Sequence, residues 1–247
     1  MSAERIGRLD LLRVGLRLLL LQSSWSEGIL QSVGLAYCLV PGLRRIHENR
    51  DDLNAAIRRH RTPFNTHPFL AGVVAGAVLR MEADGAPPQQ IASFTRDSMG
   101  PLGAVGDPFF RGALAPAASL IAALVALLGG ALAGAVTLLV VFNLPHLIVR
   151  IAAVTIGFRD GPVALARAGG WVGPRKTRGL KLIAALAGGA LLGTLVLGPG
   201  AAHPVLTGVV AIAVGLGCAL TLALERTAWS YVVPLALATL MLGEMAI

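Results

Sequence analysis

The stretch GALAPAASLIAALVALLGGALAGAVTLLVVFNLPHLIV, residues 112–149, contains 38 residues and no Asp, Glu, Lys or Arg. A single helix of that length, rising 1.5 Å per residue, would far exceed a hydrocarbon core that is ~30 Å thick. The chain therefore has to turn back within the stretch, and Gly129-Gly130 is the expected turn. A second charge-free run, residues 182–224, is interrupted in the same way at Gly198-Pro199-Gly200 and Pro204. Two transmembrane hairpins are predicted.

The composition of the whole chain agrees with a membrane protein. Of 247 residues, 55% are hydrophobic and only 14% are charged, a balance unusual for a water-soluble domain. A last apolar stretch, Tyr231 to Leu242 with Pro234 inside it, indicates one short or tilted span. We predict an all-α membrane protein in which residues 1–111 form amphipathic and re-entrant helices. Residues 112–247 are expected to form the two transmembrane hairpins and a C-terminal span.

The net charge of +8 does not indicate a nucleic-acid partner. The basic residues are spread around apolar segments, and no DNA- or RNA-binding module is visible. The positive-inside rule accounts for them better, because one linker gathers seven of the 21 Lys and Arg residues against the single acidic residue Asp160. That linker is expected to be cytoplasmic; its basic residues are Arg150, Arg159, Arg167, Arg175, Lys176, Arg178 and Lys181.

The first 111 residues contain short apolar stretches separated by charges. Residues 6–22 fit either an amphipathic helix at the membrane interface or a helix buried against protein. An apolar stretch at 28–43 is expected to close at Pro41-Gly42, and residues 51–61 predict a charged surface helix. The apolar segment 69–79 is too short to span a bilayer as a helix and is typical of a re-entrant or buried half-helix.

The sequence PFNTHPF, residues 63–69, gathers polar residues directly before that apolar segment. Pro68 suits the first position of a helix, and Thr66 or Asn65 would cap its free N–H groups. A polar helix start leading into an apolar half-helix is used by broken-helix transporters to face a solute. The alternative is a capped helix at the membrane surface in which His67 is merely hydrogen-bonded.

A second polar break is predicted at MGPLGAVGDPFF, residues 99–110. Asp107 would either cap a helix begun by Pro108 or accept hydrogen bonds from the hydroxyls of a solute. Glu82 would meet His67 or the solute, or would be solvated. The five histidines have no metal-ligand spacing, and there is no Cys-x-x-Cys and no Ser-His-Asp set. The chain is expected to hold no catalytic residues, metal or cofactor of its own.

Several of these motifs together resemble one known family. They are FNTHP at 64–68 with Met81-Glu82 after it, MGPLGAVGDPFF at 99–110, FNLPHLIVR at 142–150 and IGFRDG at 156–161. The chain resembles the IID membrane subunit of the mannose-family sugar phosphotransferase system (PTS). The resemblance implies a multi-pass protein of the bacterial cytoplasmic (inner) membrane, embedded in lipid and paired with a IIC subunit, as a trimer of IIC–IID pairs.

The resemblance also implies a function and a site. The IIC–IID complex would translocate a hexose such as mannose, while the soluble IIA and IIB proteins relay phosphate to it; IID itself carries no phosphorylated residue. The residues expected to face substrate or partner are Asn65, Thr66, His67, Glu82 and Asp107. The residues expected to break the helices around them are Pro68, Gly100, Pro101, Gly103, Gly106 and Pro108.

Two other functions remain open at this point. The stretch 25–31 departs from the family pattern, which motivates a diverged regulatory or docking IID subunit that no longer transports sugar. A stand-alone secondary transporter that uses Asp107 for proton coupling is less compatible with so few long spans.

Overall fold

The computed structural model of the chain describes residues 5–197. These residues form helices, with isolated β-bridges at Ser26–Leu30 and Leu30–Phe64, so the predicted all-α class is confirmed. The turn expected at 198–204, Cys218 and the span expected at 231–242 lie outside the described residues. The helices are α1 Arg8–Arg17, α2 Ser32–Ile46, α3 Arg50–Arg59, α4 Ala71–Ala83, α5 Pro88–Gly106, α6 Ala115–Gly129, α7 Ala131–Asp160, α8 Ala164–Trp171 and α9 Pro174–Leu197.

Two stretches of helix, Pro88–Gly129 and Ala131–Leu195, are long and apolar enough to cross a membrane. The chain also divides into two compact units. The first contains the described residues up to Asp107 together with Pro145–Gly173, and the second contains Pro108–Leu144 and the described residues from Pro174 onward. The sequence-based division at residue 111 was drawn by membrane character, and it stays a prediction.

Helix α4 is the core of the first unit. Each of its residues is buried except Arg80, which is partly exposed. Small residues let the helix lie directly against the last third of α7: a Cβ at Gly76 would lie 2.1 Å from the Val154 carbonyl oxygen, and one at Gly157 would lie 2.4 Å from that of Val73. The apolar segment at 69–79 is therefore a buried helix, while its re-entrant placement in a bilayer stays a prediction.

The first hairpin turns where the sequence predicted it. Helix α6 ends at Gly129, and Gly130 has φ +90°, a left-handed conformation that glycine adopts without strain. Beyond the turn, Gly134 lies against Ala126 and the carbonyl of Ala122. Helix α9 also packs along α6, where Gly188 meets Leu120.

Helix α2 was expected to close at Pro41-Gly42, but it continues to Ile46. Proline lacks the N–H that would bond the carbonyl four residues earlier, which is that of Tyr37. Arg17 supplies the missing donor, since its Nη1 lies 3.0 Å from the Tyr37 oxygen. Gly42 lies against Leu79, where a Cβ would lie 2.6 Å from the nearest leucine methyl. The Pro-Gly pair thus serves packing between helices rather than termination.

The expected break at 99–110 is a change of helix type. Helix α5 runs through Gly100, Pro101 and Gly103, and a π-helical segment, Asp107–Leu114, joins it to α6. No helix begins at Pro108. Asp107 is instead the last residue of the first unit, at the point where the hydrogen-bonding pattern widens. Such π-helical segments are frequent at functional sites.

Candidate functional site

The segment before α4 is held in an extended conformation by Gln31. The Gln31 side chain is buried; its Nε2 donates to the Thr66 carbonyl at 2.9 Å, and its Oε1 accepts from the Thr66 N–H at 3.1 Å. The Gln31 N–H also donates to the Phe64 carbonyl at 2.8 Å. One side chain therefore satisfies both backbone groups of Thr66, as a neighbouring strand would.

Thr66 connects this segment to α5. Its hydroxyl donates to the Met99 carbonyl at 3.1 Å, and the backbone N–H of the exposed Asn65 lies 3.0 Å from the Met99 sulfur. The expectation that Thr66 or Asn65 caps the next helix is therefore wrong. Helix α4 begins at Ala71, three residues after Pro68, and its first free N–H groups use His67. The His67 carbonyl accepts from Leu70 at 3.0 Å and from Ala71 at 3.2 Å.

His67 is the centre of the site. Its Nδ1 accepts the Phe69 N–H at 3.3 Å, so in the neutral ring the hydrogen is carried by Nε2. That Nε2 lies 3.9 Å from Oδ1 of Asp107. The His67 side chain is only 2% exposed, whereas the Asp107 side chain is 57% exposed. The pair thus joins a buried hydrogen-bond donor to an accessible carboxylate.

Gly106 makes this approach possible. A Cβ at Gly106 would lie 2.5 Å from the His67 Cβ and 2.6 Å from its Cγ, closer than side-chain atoms can approach. The neighbouring Gly100 and Gly103 face open space. Of these three predicted helix breakers, Gly106 is the one that packs against the site.

Phe69 forms an aromatic and cationic cluster behind His67. Its ring stacks on that of His146, with centroids 4.2 Å apart and planes 11° from parallel, and the Arg150 guanidinium carbon lies 4.8 Å from its centroid. Arg150 was counted among the basic residues of the cytoplasmic linker, but it is only 6% exposed. The reason is that α7 continues past it to Asp160 and packs against α4. The basic linker therefore begins later than the sequence indicated.

Glu82 lies at the other end of α4, on the order of 20 Å from His67 along the helix axis. Its carboxylate accepts from Arg59 Nε at 3.0 Å and Nη2 at 2.8 Å, it lies 2.8 Å from His60 Nε2, and His47 Nε2 is 3.4 Å away. Burial, the largest single effect, would raise the pKa of Glu82, but the hydrogen bonds and the positive charges of His60 and Arg59 together outweigh it and lower the pKa to about 2. The ionised Glu82 carboxylate therefore connects the ends of α2, α3 and α4.

Comparison with known proteins identifies the family. The model of the PTS system mannose/fructose/sorbose family IID component matches residues 5–198. The chain belongs to this family. The mannose-specific EIID component of Escherichia coli K12 is 32% identical over 197 residues, which are 77% of this chain and 69% of that one. The sorbose-specific EIID component of Klebsiella pneumoniae is 30% identical over 78% of this chain and 72% of that one.

Solved structures agree with this assignment. The IID chain is similar to a chain in the cryo-EM structure of the mannose transporter ManYZ with microcin E492, with a TM-score of 0.59, 26% identity and 96% of each chain covered. A structure described only as a membrane protein has a TM-score of 0.65 at 26% identity. The IID chain is a membrane subunit of a sugar phosphotransferase permease, and membership implies IIC and the IIA and IIB proteins as its partners.

The structure brings together four of the five predicted site residues and separates the fifth. Thr66, His67 and Asp107 are linked through α5 and the segment before α4, with the exposed Asn65 beside them. Sequence reasoning gave no role to Met99 or Gln31, and it misplaced Arg150. The Gln31 side chain makes two hydrogen bonds to the backbone of Thr66, 35 residues away, and no local sequence pattern predicts such a contact.

Proposed function

We propose that the IID chain, with its IIC subunit, translocates a hexose across the bacterial inner membrane as the IIB protein phosphorylates it. The observation that carries the proposal is the His67–Asp107 pair beside Thr66 and Asn65. These residues offer a ring N–H and an accessible carboxylate. A sugar hydroxyl can accept a hydrogen bond from the N–H and donate one to the carboxylate. The names of the mannose- and sorbose-specific relatives support transport over a purely regulatory role.

The assembly belongs to the same proposal. A trimer of IIC–IID pairs, a multi-pass topology and a hexose such as mannose as substrate follow from the family rather than from the described contacts. Glu82 is the weakest of the proposed solute-facing residues, because the chain's own Arg59 and His60 occupy its carboxylate.

The test is phosphoenolpyruvate-dependent formation of sugar phosphate in membrane vesicles that contain the cognate IIC, IIA and IIB proteins. Sugar phosphate is expected only when the IID chain is present, and a panel of hexoses would identify the substrate. Asp107→Asn and His67→Ala should each reduce the rate by at least about tenfold, equivalent to roughly 1.4 kcal/mol, while IIC still co-purifies.

Asp97→Asn is the matched control. Asp97 is an exposed carboxylate on the same helix, α5, and pairs only loosely with its neighbour Arg96 at 3.4 Å. Its substitution should leave the rate unchanged. Undiminished uptake by the Asp107 variant would refute the assignment of the site, and an assembled wild-type complex that phosphorylates no hexose would refute the transport function.

A further inference from the structure

Helix α1 presents apolar side chains on two faces. One face, with Leu11, Val14 and the following Leu18, is buried against the rest of the first unit. The other face is exposed, and its fractional exposures run from 41% at Leu12 to 68% at Leu9. Leu16, Leu19 and Leu20 are also exposed on this side. A row of leucines with this spacing is typical of a helix that lies at a membrane interface.

A cavity of about 580 Å³ lies beside this leucine row, between α1 and α2. Its wall contains four guanidinium groups and a single carboxylate, so it carries a strong positive charge. Leu16 belongs both to the cavity wall and to the exposed leucine row. The charged residues of the wall are Asp10, Arg13, Arg17, Arg44 and Arg45.

Several of these arginines are held in place by the chain itself. Asp10 is buried and accepts from Arg45 Nε at 3.1 Å and from Arg13 Nη1 at 3.3 Å. Arg17 bonds the Tyr37 carbonyl that Pro41 leaves open, and its guanidinium carbon lies 4.5 Å from the centre of the Tyr37 ring. Each guanidinium has five N–H donors, so one or two bonds leave most of them to bind a further anion.

We propose that this cavity, the α1–α2 arginine cavity, binds the phosphate of an anionic phospholipid while an acyl chain lies along Leu12 and Leu16. Guanidinium groups bind phosphate through paired, charge-assisted hydrogen bonds. Basic pockets next to apolar membrane-facing surface are the sites that recognise anionic headgroups. The continuous leucine row favours a lipid over a soluble anion or an acidic protein segment, neither of which needs apolar surface beside its charge.

The experiment is native mass spectrometry of the purified IIC–IID complex, titrated with phosphatidylglycerol or with phosphatidylcholine of the same acyl chains. The wild-type complex should retain phosphatidylglycerol in preference to phosphatidylcholine. Arg13→Gln with Arg44→Gln should weaken that retention by about tenfold or more, because two charge-assisted contacts are lost. Arg58→Gln with Arg61→Gln removes the same charge from exposed positions in and after α3 and should leave retention unchanged.

A competition arm separates the sources of phosphate. Millimolar inorganic phosphate should not displace phosphatidylglycerol, because it supplies no acyl contact. Displacement by phosphate alone would overturn the lipid assignment in favour of a soluble anion site. Equal retention of the two lipids, or an unaffected Arg13/Arg44 variant, would also overturn it. Loss of IIC co-purification in that variant with unchanged lipid retention would make the cavity a protein interface instead.

Discussion

At the scale of single residues, the site depends on Gly106, because any larger side chain there would overlap His67. Gly106 lets α5 approach the segment before α4 closely enough for Asp107 Oδ1 to lie 3.9 Å from His67 Nε2, while His67 accepts the Phe69 N–H on Nδ1. A histidine whose tautomer and position are both set by backbone contacts is a pre-organised donor, and pre-organisation lowers the cost of binding a polar solute.

Gly106→Ala should separate these elements. The new Cβ would overlap the His67 side chain, and overpacking of this kind costs about 1–3 kcal/mol. We expect the thermal unfolding midpoint of the purified complex to fall, together with sugar-phosphate formation. Gly103→Ala is the control, because nothing lies within 4 Å of its Cβ position and alanine favours a helix by up to about 1 kcal/mol. Equal midpoints for the two variants would contradict this account of Gly106.

At the scale of helices, α4 and α7 pack through backbone contact rather than through large side chains. Gly72 and Gly76 on α4 face the carbonyls of Arg150 and Val154, and Gly157 on α7 faces that of Val73. Small residues four apart allow this close approach between membrane-protein helices. The same contact carries Arg150 into the interior beside Phe69.

Gly76→Ala should therefore disrupt the pairing of α4 with α7. The added Cβ meets the Val154 carbonyl oxygen at 2.1 Å and the Phe158 nitrogen at 2.6 Å, and neither backbone atom can rotate away. We expect a loss of about 3 kcal/mol or more, seen as aggregation in size-exclusion chromatography. Gly179→Ala, on an exposed position of α9 with nothing within 4 Å, should behave as wild type. A monodisperse Gly76 variant of wild-type stability would show that the helices can separate without cost.

At the scale of the whole molecule, Glu82 connects the ends of three successive helices, α2, α3 and α4. Removing one partner of such a buried ion pair typically costs about 3–5 kcal/mol, because the remaining charges lose their compensation. Glu82→Gln should therefore lower the unfolding midpoint of the complex at neutral pH. Asp84→Asn is the control, since the Arg80–Asp84 pair is exposed and surface pairs contribute little. Equal effects of the two substitutions would contradict the structural role of Glu82.

The same carboxylate makes stability depend on pH. Folding lowers the pKa of Glu82 from 4.5 to about 2, so its contribution is fully present above about pH 4.5 and is lost as the pH falls toward 2. Wild type should lose more stability than Glu82→Gln between roughly pH 5 and pH 2. Thermal unfolding of both proteins across this range measures the difference, and parallel curves would show that Glu82 does not titrate in this window.

The sequence by itself determined the class, the membrane character and the turn at Gly130. These follow from local quantities, since a charge-free run longer than the bilayer is thick has to turn, and Gly129-Gly130 is the place where it can. The family was also identifiable, because its motifs are contiguous. Asn65, Thr66, His67 and Asp107 were selected as candidates for the same reason, although the capping role predicted for Thr66 or Asn65 was wrong.

Only the tertiary structure decided how those residues meet. Gln31 bonds Thr66, Asp107 reaches His67, Glu82 pairs with Arg59 and His60, and Arg150 lies over Phe69. Each contact joins residues more than 20 positions apart, and its energy depends on the packing of whole helices. Pro41 shows the principle best: a local rule ends α2 there, but a distant Arg17 satisfies the carbonyl that proline leaves open, and the helix continues.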